Sequence, residues 1–196
     1  MDVLLVESDP GVGAAASAAL AEAGHTVRQC HPDGGVFPCV GLAGGACPIA
    51  EGTDVAVVAR AACAMEPTAG EDGVACALRA GLPVVQVGRS LEEPYQPWLA
   101  GRADVEDLAD AVERARSRAM GELVLAIRGR IDLLLSRAGI EPAAVSCAAG
   151  RTGHSLRIRI SGDPGLAAVR EALAVRAYDA VRAFGTTFDE IHIDVG

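Results

Sequence analysis

The sequence predicts an α/β protein: a doubly wound parallel sheet over residues 1–118, then a small two-layer α+β domain of order α-β-β-α-β over residues 119–196. Three observations carry that prediction. Short uninterrupted apolar runs at 2–6 (DVLLV), 54–59 (DVAVVA) and 83–87 (PVVQV) have the pattern of strands buried on both faces. Helical segments lie between them, as the crossovers of a parallel sheet require. After Gly139 the pattern changes to alternation of apolar and polar residues, the mark of half-buried strands.

Each element follows in order. The first run ends in a turn at Glu7-Ser8-Asp9-Pro10-Gly11, where Pro10 suits the first position of a helix. Residues 11–23 are alanine-rich and helical, Gly24 closes them, and 25–29 reads as a second strand. A helix is expected over about 71–80, between the strands at 54–59 and 83–87. From Asp104 to about Arg137 apolar residues recur every three or four positions: Val105, Leu108, Val112, Ala115, Ala119, Leu123, Ile127, Ile131 and Leu134. That is one helical stripe, with Gly121 and Gly129 as candidate breaks between domains. It can pack on the chain's own domains or on a second copy, so a homodimer through 104–137 is one expectation. Strands follow at 143–149 and 154–161, joined by a Gly-Arg-Thr-Gly turn, then a helix from Pro164 to Phe184 and a strand at 188–195. Leu156, Ile158, Ile160, Ile191, Ile193 and Val195 point inward. Arg157, Arg159, Glu190, His192 and Asp194 form an outer face where cross-strand ion pairs are expected.

Charge and composition narrow the function. The chain has 17 arginines and no lysine against 26 acidic residues. Residues 1–118 hold 8 Arg against 17 acids and residues 119–196 hold 9 against 9, so no broad basic surface for nucleic acid is expected. No segment reaches the roughly 18 apolar residues of a membrane span. The start, Met1-Asp2 running to Glu7, is unlike the basic start of a secretory signal. A cytoplasmic protein is expected, with its six cysteines reduced or metal-bound.

The segment VLLVESDPGVGAAASAALAEAGHTV resembles the opening of a bacterial response-regulator receiver domain. DVAVVAR, LPVVQVG and PWLAGRADVEDLADAV fall where that family has its third, fourth and fifth strands and last helix, so the resemblance covers residues 1–118. It implies a pair of acidic Mg²⁺ ligands after the first strand, but here those places hold Glu7 and Ser8, with Asp9 adjacent. The implied phospho-acceptor falls on Ala59, the Ser/Thr ending the fourth strand on Gly88, and the lysine near the fifth strand on Gly101. Phosphoryl transfer needs a nucleophile and positioned positive charge. Both are missing. The resemblance therefore implies a degenerate pseudo-receiver: a non-enzymatic regulatory or scaffolding protein acting through protein contacts, with Glu7 and Asp9 left as a vestigial acidic pocket.

Where that family has a helix between its second and third strands, residues 30–52 carry six glycines and three prolines, so a regular helix is not expected. This insertion contains Cys30, His31, Cys39 and Cys47. Three thiols and an imidazole are the ligand set of a tetrahedral zinc site, although the spacings lack a tight Cys-x₂-Cys pair. Cys63 or Cys76 can replace His31 as fourth ligand, and an iron–sulfur cluster suits three cysteines equally well. A redox-active thiol pair and plain structural thiols are the other readings of the loop. The alternative to the regulatory function is thus a metal- or cluster-based redox sensor. Cys63, Cys76 and Cys147 are expected as small buried hydrophobes.

Overall fold

The computed structural model describes residues 1–32, 37–184 and 188–196. The chain divides into two compact units, Met1–Ser117 and Arg118–Gly196. The first contains β1 (Asp2–Glu7), α1 (Ala14–Glu22), β2 (Thr26–Gln29), β3 (Val55–Ala59), α2 (Asp72–Arg79), β4 (Val84–Val87), β5 (Leu99–Ala103) and the start of α3 (Leu108–Arg137). Its five strands are all parallel, in the order β2-β1-β3-β4-β5. Side chains alternate across a strand, so β1 serves two cores at once. Val3 and Leu5 pack with Leu20 of α1 and Leu108 and Val112 of α3, whereas Leu4 and Val6 pack with Val74 and Ala77 of α2. Helices therefore cover both faces of the sheet.

Two connections carry no α-helix among their described residues. Between β4 and β5 there is only a 3₁₀ turn at Gln96–Trp98. Between β2 and β3 the chain runs as hydrogen-bonded turns: the Val40 amide donates to the Cys30 carbonyl (2.8 Å), Gly45 to Val40 (2.9 Å) and Glu51 to Cys47 (2.9 Å). The Thr53 hydroxyl, buried, donates to the Pro48 carbonyl at 2.8 Å. Cys39 and Ile49 pack with Cys30 on the face that holds Leu4, Val6 and Val58. This loop covers sheet surface that a crossover helix would otherwise cover.

In the second unit, the rest of α3 is followed by a 3₁₀ turn (Pro142–Ala144), β6 (Ser146–Thr152), β7 (Ser155–Ser161), α4 (Leu166–Phe184) and β8 (Glu190–Val195). The sheet order is β6-β7-β8, with β6 antiparallel and β8 parallel to β7. Leu123, Ile127, Ile131 and Leu135 of α3 pack with Leu156, Ile158 and Ile160 of β7 and Leu173, Ala177 and Val181 of α4. Strand β6 begins three residues later than the sequence predicts, because Pro142 opens a turn instead of a strand. The hairpin loop is Gly153-His154, not Gly-Arg-Thr-Gly, since Thr152 already pairs with Ser155 and Gly153 supplies the positive φ of 57°.

Gly121 and Gly129 do not break α3, which runs unbroken through both. The stripe that the sequence offers to a second copy is already used: Leu108, Val112 and Ala115 lie in the first unit's core, and Leu123, Ile127 and Ile131 in the second's. A homodimer through residues 104–137 would have to use the helix's other side. No helix among the described residues is long and apolar enough to cross a membrane.

Candidate functional site

In open α/β sheets ligands bind outside the carboxyl ends of the strands. Here those ends are level: Glu7 pairs with Ala59, Ala59 with Val87, and Val87 with Ala103. The residue level with Ala59 is thus Ala103. Gly101, where the lysine is expected, sits opposite Val85, two residues before the edge. Neither residue carries a charge.

Past the end of β3 the crevice at this edge is filled. Arg60 follows the all-buried strand β3, and its side chain is fully buried together with that of Glu71, at 0% exposure each. Its Nε donates to Glu71 Oε1 at 2.7 Å, and one terminal nitrogen donates to the Glu66 carbonyl at 2.8 Å. The other reaches Ser90 Oγ at 3.2 Å and the Glu92 carbonyl. The guanidinium also lies 5.8 Å from the Tyr95 ring centre. Burial first, and then the neighbouring Glu71 carboxylate, push the Tyr95 phenol up to about 12. One guanidinium thus ties together the two segments that leave β3 and β4.

Glu71 is held from its other oxygen. Thr68 and Glu71 form a capping box in which the Thr68 amide donates to Glu71 Oε2 at 2.7 Å. The Thr68 hydroxyl donates to the Ser8 carbonyl at 2.6 Å, and Ser8 Oγ accepts from the Ala61 amide at 2.8 Å. Gly70 lies so close to the end of β1 that an added Cβ would sit 2.6 Å from the Glu7 carbonyl. The segment 68–71 is laid directly across the β1–β3 edge.

The two predicted acidic residues diverge in role. Glu7 is bound internally, Oε1 accepting from the Gly13 amide (2.7 Å) and Oε2 from Gln29 Nε2 (2.9 Å). It pins the β1–α1 turn to β2. Asp9, exposed, accepts from Ser8 Oγ at 2.9 Å. Beside the filled crevice an open cleft of about 580 Å³ is lined by Gly88, Arg89, Ser90, Glu93 and Arg102, in which Arg102 is ion-paired to Glu93.

The cysteine loop brings some predicted ligands together. Cys30 and Cys39 share one apolar cluster, and an added Cβ on Gly41 would sit 3.0 Å from Cys47 Cβ. Burial, with the neighbouring Cys47, Cys39 and Cys76, pushes the Cys30 thiol up to about 11. Both ring nitrogens of His31 are buried with no hydrogen-bond partner among the described residues. Even so, the described residues contain no group of three or more His, Cys, Asp or Glu arranged to hold a metal ion. Cys63 and Cys76 are exposed, contrary to the buried role expected of them, while Cys147 is half-buried. Cys76 lies on the outer side of α2, where its sulfur accepts from Arg79 at 3.3 Å.

On the outer face of the second sheet, Glu190 accepts from Ser155 Oγ (2.8 Å) and lies 3.4 Å from His192 Nε2. The Ser155 hydroxyl, then His192, hold its carboxyl below the ordinary value. Arg157 and Arg159 stand exposed, level with Gly150 and Ala148 on β6 and with His192 and Asp194 on β8; the register sets Arg159 beside Asp194, but neither arginine makes an ion pair among the described residues.

The Arg60–Glu71 pair escapes the pattern reading, although both signals were present. Arginine directly after an all-apolar strand is one, and the spacing Thr68-x-x-Glu71 of a capping box is the other.

No protein-family model matches the chain, and no curated protein does. Among solved structures it aligns with a yeast Spc42 trimeric coiled-coil segment (amino acids 181–211) fused to another structure. That alignment has 17% identity, covers 71% of this chain and 99% of the other, and has a TM-score of 0.43. A likeness at that level says nothing of this chain's fold family or activity.

Proposed function

We propose that this protein is a non-enzymatic regulatory or scaffolding module. Its first 118 residues form a degenerate receiver that is not phosphorylated on an aspartate and that acts through protein contacts. The observation that supports this reading is the filled sheet edge. Next to Ala59, where the resemblance implies the phospho-acceptor, the chain places the fully buried Arg60–Glu71 pair, and the carboxylate of Glu7, an implied metal ligand, is bound to Gly13 and Gln29. The strand order β2-β1-β3-β4-β5, one of the two common doubly wound orders, supports the receiver-like assignment. The test is incubation of the full chain with acetyl phosphate and Mg²⁺, read by intact-mass spectrometry. No phosphoryl adduct is expected; a stoichiometric, hydroxylamine-labile adduct would sink the reading.

A second reading is thiol- or metal-based sensing by the loop. It draws on the proximity of Cys30, Cys39 and Cys47 and on the unpartnered His31 ring. Zinc or a cluster would have to draw these groups into a tetrahedral set that they do not form as arranged. Elemental analysis and an absorption spectrum of anaerobically purified protein decide it. About one metal or cluster per chain, lost on replacing Cys30, Cys39 and Cys47 with serine, supports sensing; a metal-free protein with six titratable thiols removes it.

A further inference from the structure

The second unit carries a surface that its own fold does not use. Along the outward side of α3, Gly121, Leu125, Gly129 and Leu133 follow one another at four-residue intervals. The two leucines are 71% and 59% exposed, and a Cβ added to either glycine would meet nothing within 4 Å. Glycine inside a helix is destabilising relative to alanine. Neither glycine is needed for a close approach within the unit. A leucine–glycine alternation at the i, i+4 spacing instead forms a ridge with notches, the relief that another helix packs against.

The ridge borders a groove of about 360 Å³ between α3 and α4, lined by Gly129, Arg130, Leu133, Leu134, Arg137 and Arg176. Its floor is apolar and its rim holds three guanidiniums. None of the three has an ion-pair or hydrogen-bond partner among the described residues. Three unpaired cations beside exposed leucines favour one kind of occupant: apolar residues for the floor and carboxylates for the rim. A second copy laid on the same groove about a two-fold axis would set these guanidiniums against their equivalents, which opposes self-pairing.

We propose that the groove between α3 and α4 is a docking site for an acidic amphipathic helix of a protein partner. Leu133 in the groove and Leu125 on the ridge beside it supply the apolar contacts, and Arg130, Arg137 and Arg176 receive the partner's carboxylates. This rests on the protein-contact reading above and gives the partner's chemistry. Guanidinium, with its planar fork of donors, suits paired carboxylates better than a point charge would.

The test is fluorescence anisotropy of the full chain with a labelled synthetic peptide of about five helical turns. The peptide has leucines at i, i+4 and i+7 and glutamates on the flanks; a counterpart carries lysine for every glutamate. The glutamate peptide is expected to bind at least tenfold tighter than the lysine peptide. Binding should weaken at least tenfold in Arg130→Glu/Arg137→Glu/Arg176→Glu and several-fold from low to high salt. Gly129→Leu fills a notch without touching charge; it should weaken binding with the melting midpoint unchanged or raised. Equal affinity for the two peptides, including no binding of either, overturns the proposal. So does binding that the charge reversal leaves intact, or self-association of the wild-type chain that the same variants abolish. All these variants lie in the second unit. The acetyl phosphate assay reports on the first, so each reading fails by its own measurement.

Discussion

Replacing Arg60 with methionine is the most informative perturbation of the first unit. The variant keeps an apolar stem but leaves the Glu71 carboxylate fully buried without its cation, and removes the donors to Glu66, Ser90 and Glu92. Breaking a buried pair by removing one partner costs about 3–5 kcal/mol. At about 4 °C per kcal/mol for a unit of this size, the first unit's midpoint should fall by about 12–20 °C. The companion Arg60→Met/Glu71→Leu removes both charges. Well-packed apolar replacements of such pairs are often neutral, so most of the loss should be regained. A residue of about 1 kcal/mol should remain, because the Thr68 amide loses its acceptor on Glu71. The assay is urea unfolding followed by circular dichroism and fitted with two transitions, since the chain has two units. A single variant within about 1 kcal/mol of wild type, or a double variant no more stable than the single, would refute the idea that this ion pair holds the sheet edge closed.

Other consequences are equally concrete. Gly70→Ala would press a Cβ to 2.6 Å from the Glu7 carbonyl and should cost about 1–3 kcal/mol. Gly129→Ala, in open helix, should instead stabilise by about 0.5–1 kcal/mol; equal effects in urea unfolding would contradict both placements. Alkylation with iodoacetamide at pH 8, followed by peptide mass mapping, should label exposed Cys63 and Cys76 first and Cys30 last. Because burial raises the Cys30 thiol to about 11, its protonated form contributes stability that is complete below the ordinary thiol value and fades as pH climbs through 11. Rapid labelling of Cys30 at pH 8 would rule out its burial. Glu7→Ala should lower stability by about 1–3 kcal/mol, because the Gly13 amide and Gln29 lose their acceptor; an unchanged urea midpoint would show that this carboxylate is not anchoring the turn.

Amino-acid order alone was enough to place seven of the eight strands to within a few residues; β5 was indicated only by the receiver resemblance. Runs such as VAVVA at 55–59 have no other stable use than a strand covered on both faces, and the alternation of LRIRI at 156–160 can bury only one side. It was enough, too, to exclude a regular helix from the described residues of the glycine- and proline-rich loop, 33–36 lying outside them, since that rests on local backbone chemistry. What occupies the sheet edge was decided only in three dimensions. Arg60 and Glu71 are eleven positions apart, and nothing in their spacing says that one guanidinium will collect Glu71, Glu66, Ser90 and Glu92. The same holds for α3. Its stripe was legible, but a stripe does not name what covers it, and the chain's own cores claim that side. The leucines and guanidiniums left uncovered on the outside become visible only once the helices are packed. Periodicity is a property of one segment, whereas burial and pairing depend on which segments meet.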